Sequence, residues 1–132
     1  MKYTLRILAF SVCPLAALSA QSLIEPDSLV HDGMRLTLAC DFDGALRTFQ
    51  SLADANPRDA TGPFFLAATL QSKMMDTESD AWEKPFQENI RRVIDLEEPG
   101  LEPDAADARR LFFLGSAYSY LGLVEAKRGS LV

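Results

Sequence analysis

The amino-acid sequence predicts an all-α protein. Apolar residues recur every three or four positions through most of the chain, which is the spacing of one face of an α-helix. No segment alternates apolar and polar residues over the length of a strand. Short polar stretches that contain Gly or Pro separate the apolar segments. We therefore expect several helices joined by turns.

Composition limits the function. The chain has 132 residues, a formal net charge of −6 and 48% apolar residues, which is enough for a folded core. Binding to nucleic acid is disfavoured, because neutralising phosphates requires clustered Lys and Arg. Two cysteines and the single histidine, His31, leave little material for a disulfide framework or a metal site.

Residues 1–20 have the layout of a secretory signal peptide. Lys2 and Arg6 precede an uncharged, mostly apolar stretch over residues 7–18, which ends in the small pair Ser19-Ala20. That stretch is shorter than the roughly 20 residues that a helix needs to cross a bilayer. We expect cleavage after Ala20 or Ser19, and export of residues 21–132 to a bacterial periplasm or cell envelope, or outside the cell.

Two other interpretations of the N-terminus stay open. One is a buried N-terminal helix, and the other is a lipoprotein whose mature chain begins at Cys13. After removal of a signal peptide, no remaining apolar segment is long enough to span a membrane, and Cys40 is the only cysteine left.

The first two helices are predicted over about Pro26 to Cys40 and from Ala45 onward. A polar turn, 41–44, separates them, with Asp43 as the predicted N-cap of the second helix. The second helix should end at Asn56-Pro57, since a residue before proline is disfavoured in the α region. Cys40, at the end of an apolar helix, is expected to be buried.

Three further helices follow. Apolar spacing predicts one around Phe64 to Leu70, one from Trp82 to Leu96 with Pro85 in its first turn, and one from Ala105 to Arg128. Acidic linkers, around 76–80 and 97–107, are predicted between them.

The helical segments also repeat. Residues 64–70, FFLAATL, are similar to residues 112–118, FFLGSAY, which lie 48 positions later. Alignment of Gly33 with Ala67 gives an offset of 34 residues. The longer second interval is explained if the additional residues lie in the acidic linkers. A period near 34 is typical of one repeat family built from helix–turn–helix units.

The chain resembles the tetratricopeptide repeat family. The residues that match the family pattern are Leu29, Gly33, Leu36, Ala45, Phe49 and Pro57 in the first unit, Leu66, Ala67 and Leu70 in the second, and Leu111, Leu114, Gly115 and Tyr118 in the third. Pro63 replaces the bulky residue of the second unit, and Asp32 replaces the usual Leu of the first. The units would cover approximately 26–59, 60–104 and 105–132.

The resemblance implies a short α-solenoid of stacked antiparallel helix pairs, incomplete at its C-terminus. Gly33, Ala67 and Gly115 would be small so that the paired helix can approach closely, and Phe49 would fill the space between hairpins. Ala45, Pro57 and Tyr118 would complete the packing between repeats.

The last predicted helix is apolar nearly all round, although a terminal repeat usually has a polar outer face. Either the sequence is a fragment of a longer repeat protein, or this helix packs against a partner or a second copy.

Catalysis is not expected. His31 lies beside Asp32 and three residues after Ser28, but adjacent helical residues point in different directions and cannot form a triad. The motif 41–44 lacks the spacing of a calcium loop. Glu97 and Glu98 lie in a linker that should be solvated and offer no perturbed acid–base pair. We expect no enzyme activity, no cofactor and no metal.

The resemblance implies a groove lined by the first helix of each hairpin. That face would hold Val30, Met34, Leu38, Phe64, Ala68, Gln71, Phe112, Ser116 and Tyr120. Because it is mostly apolar, it would bind a peptide or partner helix, and an acidic chain would favour a basic partner. The expected function is a protein–protein interaction module or scaffold. The alternative is a carrier of a small apolar ligand in the same groove.

Overall fold

The computed structural model describes residues 26–101, 107–127 and 129. This part of the chain contains helices and no strand, so the predicted all-α class is confirmed for it. The predicted signal peptide, residues 1–20, lies outside the described residues. The helices are α1 Pro26–Leu38, α2 Phe42–Ala55, α3 Thr61–Asp76, α4 Glu83–Glu97 and α5 Ala108–Lys127, with a 3-10 turn at Glu98–Gly100.

Consecutive helices pack against each other in opposite directions. Lys73, near the end of α3, donates to Asp43 at the start of α2 over 2.8 Å. Arg110, near the start of α5, donates to the main-chain carbonyl of Glu97 at the end of α4 over 2.8 Å. Short connections between helices favour this antiparallel arrangement.

The odd-numbered helices lie side by side in the same direction. The hydroxyls of Thr37 on α1 and Thr69 on α3 are 3.1 Å apart. At the start of α5, Arg109 donates to Thr61 at the start of α3 over 2.8 Å. Past the other end of α3, Asp80 accepts from Lys127 of α5. The even-numbered helices pack across them: α2 packs on α1 and α3, and α4 packs on α3 and α5.

Two apolar clusters form the core, and α3 contributes to both. The cluster among α1, α2 and α3 contains Ala45, Phe49, Leu52, Ala53 and Leu66 as its buried members. The cluster among α3, α4 and α5 contains Ala60, Phe64, Ala67, Leu70, Phe86, Ile90, Val93, Phe113 and Ala117. Since α3 is buried on two sides, it is the central helix of the described part, and its sequence is apolar round most of its circumference.

Gly33 allows α1 to lie close to α2. A Cβ at this position would collide with the ring of Phe49, which is fully buried. The Phe49 ring in turn stacks on Phe65 of α3, with centroids 5.1 Å apart. A side chain larger than hydrogen at Gly33 would therefore push α1 away from the first cluster.

The predicted N-cap of α2 is wrong by two residues. Asp41, not Asp43, caps the helix, because its Oδ1 accepts from the main-chain N–H of Gly44 over 3.0 Å. Phe42 is therefore helical and buried. The predicted end of α2 is confirmed, since the helix ends at Ala55 and Asn56 is its C-cap.

Cys40 is exposed, so the expectation of a buried thiol is wrong. It has a φ of 59° and ends α1 in a Schellman motif, in which the Asp41 N–H donates to the Leu36 carbonyl over 3.0 Å. Helix α3 ends in the same way at Glu78, with a φ of 48° and the Ser79 N–H donating to the Met74 carbonyl over 3.1 Å. Glycine is the residue most often found at this left-handed position.

Three of the predicted packing positions do not pack as expected. At Gly115, a Cβ would meet none of the described residues within 4 Å, so close helix approach in this part of the chain does not explain this glycine. Tyr118 is half exposed, and its hydroxyl donates to Glu98 over 2.9 Å. Pro57 is exposed, and its carbonyl accepts from Arg92 over 3.4 Å. The remaining predicted packing residues, Gly33, Ala45, Phe49 and Ala67, are all buried.

Within the described part of the chain, none of the helices combines the length and the apolar character needed to cross a membrane.

Gly33 and Gly115, which both lie within helices, give a matched pair of stability variants. We expect Gly33→Ala to lower the free energy of unfolding by about 1–3 kcal/mol, because its methyl overpacks against Phe49. Gly115→Ala adds the same methyl in open space within a helix and should raise it by about 0.5–1 kcal/mol. Urea denaturation of both variants measures the difference. A Gly33→Ala variant as stable as Gly115→Ala would contradict the close approach of α1 and α2.

Candidate partner-binding face

Two pockets flank the C-terminal half of α3. The α1–α3 pocket has a volume of about 170 Å³ and the α3–α5 pocket about 390 Å³. Ser72 lines the first and Gln71 the second, so consecutive residues of α3 face different pockets. The two pockets therefore lie on either side of the same turn of α3. We call the surface formed by both pockets and the part of α3 between them the binding face.

The α1–α3 pocket is lined mainly by apolar groups. Its full lining is Met34, Thr37, Leu38, Phe49, Phe65, Ala68, Thr69 and Ser72. The Thr37 hydroxyl donates to the carbonyl of Gly33 over 3.0 Å and lies 3.1 Å from the Thr69 hydroxyl, and the Ser72 hydroxyl donates to the carbonyl of Ala68 over 3.0 Å. The polar groups of this lining thus have internal partners, and the side chains that remain to contact a ligand are apolar.

The α3–α5 pocket has an apolar floor and an acidic rim. Phe86 and Tyr120 meet edge to face at its base with centroids 5.7 Å apart, and Met74, Leu123 and Val124 add apolar surface. Burial raises the pKa of Tyr120 further above its ordinary value, which already keeps the hydroxyl protonated at neutral pH.

The rim of the α3–α5 pocket consists of Glu78, Asp80, Glu83 and Lys127. Lys127 ion pairs with Asp80, and Glu83 accepts from Gln87 over 2.8 Å. The charged lining thus contains more acidic than basic side chains.

Five of the nine predicted groove residues line these pockets. Met34, Leu38 and Ala68 belong to the α1–α3 pocket, while Gln71 and Tyr120 belong to the α3–α5 pocket. The other four, Val30, Phe64, Phe112 and Ser116, line neither.

Phe64 is the predicted groove residue whose position in the structure differs most from the prediction. Its side chain is only 6% exposed, and its ring contacts Phe113 at 5.2 Å and Phe65 at 5.3 Å between centroids. Phe64 is therefore a core residue, and its neighbour Phe65 is the member of that pair that lines a pocket. In the second aromatic pair Phe112 is exposed and Phe113 is buried.

Sequence analysis missed several lining residues near the ends of the helices. Met75 lies four positions after Gln71 on α3, and Leu123 and Val124 follow Tyr120 on α5 by three and four positions. Extending each predicted stripe by one helical turn would have found them.

A polar network holds the start of α5 against α3 and α4. Arg109 donates to Asp59 over 2.7 Å, and its guanidinium lies 4.8 Å from the centre of the Phe113 ring. Its Nη1 is also 3.7 Å from Glu97, and the Nε of Arg110 approaches the same carboxylate at 3.5 Å. This network fixes the start of α5, whereas the α3–α5 pocket is lined by the opposite half of that helix, from Tyr120 to Lys127.

Glu97 is 5% exposed, which corrects the expectation of a solvated linker residue. A buried carboxylate requires charged partners, and both arginines come from α5. The glutamate therefore acts as an anchor for α5.

The pKa of Asp59 is lowered even though its burial opposes ionisation. Burial alone would raise this pKa, but hydrogen bonds from the hydroxyl and the main-chain N–H of Thr61, together with the charge of Arg109, outweigh it. The carboxylate form of Asp59 thus stabilises the start of α3 and its contact with α5.

The other candidate residues occupy separate surface positions. His31 is exposed on α1, and Asp32 lies 3.9 Å from Arg35 of the same helix. Across residues 26–101, 107–127 and 129, no cluster of three His, Cys, Asp or Glu side chains is arranged to hold a metal ion.

Comparison with family models, with curated proteins and with solved structures found no match for this chain. What the binding face can accommodate therefore follows from its own shape and chemistry.

Asp59→Asn should make the free energy of unfolding less dependent on pH in the acidic range. Because the folded state lowers the Asp59 pKa, its contribution is present above about pH 4 and is lost as the pH falls through the folded pKa. We expect the variant to lose about 1 kcal/mol of unfolding free energy near pH 7 and little near pH 2. Urea denaturation at both pH values measures this.

The matched control is Asp54→Asn, which changes an exposed aspartate of α2 that accepts from Gln50 of the same helix at 2.8 Å. In this control, the difference in unfolding free energy between pH 7 and pH 2 should be nearly the same as in the unchanged protein. If Asp59→Asn also left this difference in unfolding free energy unchanged, ionised Asp59 would not be what stabilises the contact between α3 and α5.

Proposed function

We propose that this chain is a non-catalytic, exported protein-interaction module that binds a peptide or helix of a partner protein on its binding face. The observation that carries the proposal is the pair of pockets on either side of one turn of α3, both with mainly apolar linings. Binding of an amphipathic helix requires a groove in which apolar side chains can be buried at successive turns. The signal-peptide layout of residues 1–20 supports export.

The exposed side chains of this face support the same function. Leu38 is 83% exposed and Met75 is 72% exposed, and Met34 and Leu123 are also exposed although they are large and apolar. Single exposed apolar residues are common on soluble proteins, whereas several around adjoining pockets mark an interaction surface. A partner that covered them would remove this apolar surface from water.

We further propose a tetratricopeptide-like arrangement of the helices. In that family the first helix of each hairpin lines the groove, and α1, α3 and α5 would take that role here. Support comes from the antiparallel packing of consecutive helices and from the common direction of α1, α3 and α5. The close contact between Gly33 and Phe49 also agrees with the spacing of the first unit.

Charged substitutions on the face should abolish binding without unfolding the protein. Leu38→Lys and Met75→Lys place an ammonium among apolar side chains, but both positions are so exposed that the fold should tolerate the change. We expect peptides selected by the unchanged protein from a random peptide library to lose at least tenfold in affinity for each variant.

Gln50→Lys is the matched control, since it adds the same charge to an exposed position of α2 away from both pockets. It should retain the affinity of the unchanged protein in the same isothermal titration. If the selected peptides bound all three variants with the same affinity, the assignment of peptide binding to this face would be wrong.

The size of the α3–α5 pocket supports a second candidate function, a carrier of a small apolar ligand. A volume of about 390 Å³ lies within the range of small-molecule sites, about 300–1,000 Å³. Native mass spectrometry of the purified protein separates the two functions. A bound non-peptide mass that Leu123→Lys removes would support the carrier, whereas the interaction module predicts the mass of the polypeptide alone.

A further inference from the structure

We propose that the α3–α5 pocket selects a basic amphipathic segment, which places an apolar side chain in the pocket and a neighbouring Lys or Arg at its rim. This inference rests on the proposed function, because it names the chemistry of the partner bound at the same face. The apolar floor of the pocket, its polar groups and the position of Glu78 support this inference.

The floor of the pocket selects for an apolar side chain. Phe86 is nearly fully buried beneath Tyr120, and Met74, Leu123 and Val124 surround them. A leucine- or phenylalanine-sized side chain would bury its apolar surface against these groups. Unbranched methionines adapt to side chains of different shape, as is common on surfaces that bind peptides.

The polar groups of the pocket select for hydrogen-bond donors and positive charge. The Oε1 atom of Gln71 is buried and, within the described part of the chain, accepts no hydrogen bond. A buried acceptor without a donor costs free energy, which an N–H group from a bound segment would recover. Among the described lining residues, the acids Glu78, Asp80 and Glu83 outnumber the cation Lys127, so the rim attracts a cationic side chain.

Glu78 carries its charge at a position that is unfavourable for a glutamate. Its φ of 48° is left-handed, and glycine would take this conformation without a steric penalty. The acidic side chain thus lowers the stability of the α3 terminus while adding negative charge to the rim.

A synthetic 14-residue peptide of leucine and lysine at helical spacing, labelled with fluorescein, is the probe. We expect fluorescence anisotropy to show saturable binding that weakens as salt is added. A peptide with glutamate in place of every lysine and a peptide with serine in place of every leucine should both bind at least tenfold more weakly.

Two pocket variants should stabilise the free protein and yet weaken the complex. Gln71→Leu removes the unsatisfied acceptor and should weaken peptide binding about tenfold. Glu78→Gly relieves the backbone and removes one rim charge, which should raise the unfolding temperature and weaken binding about threefold. A merely structural role for either residue would change stability and affinity in the same direction.

Both effects of Glu78→Gly have a matched control. Cys40→Gly relieves the same left-handed conformation at the end of α1, so it should raise the unfolding temperature without changing the affinity. Glu88→Gln removes the same charge from an exposed position of α4 outside the pocket, and it should leave the affinity unchanged.

Equal binding of the lysine and glutamate peptides, or unchanged affinity in both Gln71→Leu and Glu78→Gly, would overturn the inference. If Leu38→Lys or Met75→Lys still abolished binding in that case, the proposed function would stand without this specificity. Unchanged affinity in all four of these variants would overturn both the inference and the proposed function. Binding of dodecylammonium but not of the peptide would also overturn the inference, in favour of a small amphiphile.

Discussion

The ring of Phe64 determines where α5 lies. It occupies the space between α3 and α5 and contacts four other aromatic rings, those of Phe65, Phe112, Phe113 and Tyr120. Aromatic rings in edge-to-face contact restrict both the distance and the rotation of the helices that carry them. Because Tyr120 also meets Phe86 of α4, the same cluster sets the base of the α3–α5 pocket. The shape of the proposed binding face therefore depends on a core residue that lines neither pocket.

Ion pairs hold the first turn of α5 in place. Glu97 ends α4 in a buried position and receives two arginines from α5, and Arg110 passes so close to Gly100 that a Cβ there would collide with the guanidinium. Burying such a network gains little net stability, since desolvation offsets the attraction between the charges. Its effect is directional, because both arginines that pair with the carboxylate come from the first turn of α5. The aromatic cluster and the arginines together hold α5 parallel to α3.

Helical periodicity predicted the existence of all five helices and the end of α2, because apolar spacing and Pro57 are local signals. It could not decide which of two adjacent apolar residues faces the core. Phe64 and Phe65 differ by about 100° on the helix, and both are bulky, so only the position of α5 assigns Phe64 to the interior. Burial of Glu97 likewise depends on arginines that follow 12 and 13 residues later, a tertiary contact without a local pattern. For Gly115 the family pattern predicted a close approach, but in the described residues no helix covers that side of α5.

The central claim is that a basic amphipathic segment binds on the face around α3, with its apolar side chain in the α3–α5 pocket. The methyl groups of methionine report on this directly, since Met34 lines the α1–α3 pocket and Met74 and Met75 line the α3–α5 pocket. Nuclear magnetic resonance of protein labelled with ¹³C at the methionine methyls would follow these signals during titration with the leucine–lysine peptide. We predict that the Met74 and Met75 signals shift in proportion to bound peptide. Binding that left both signals in place would contradict the account.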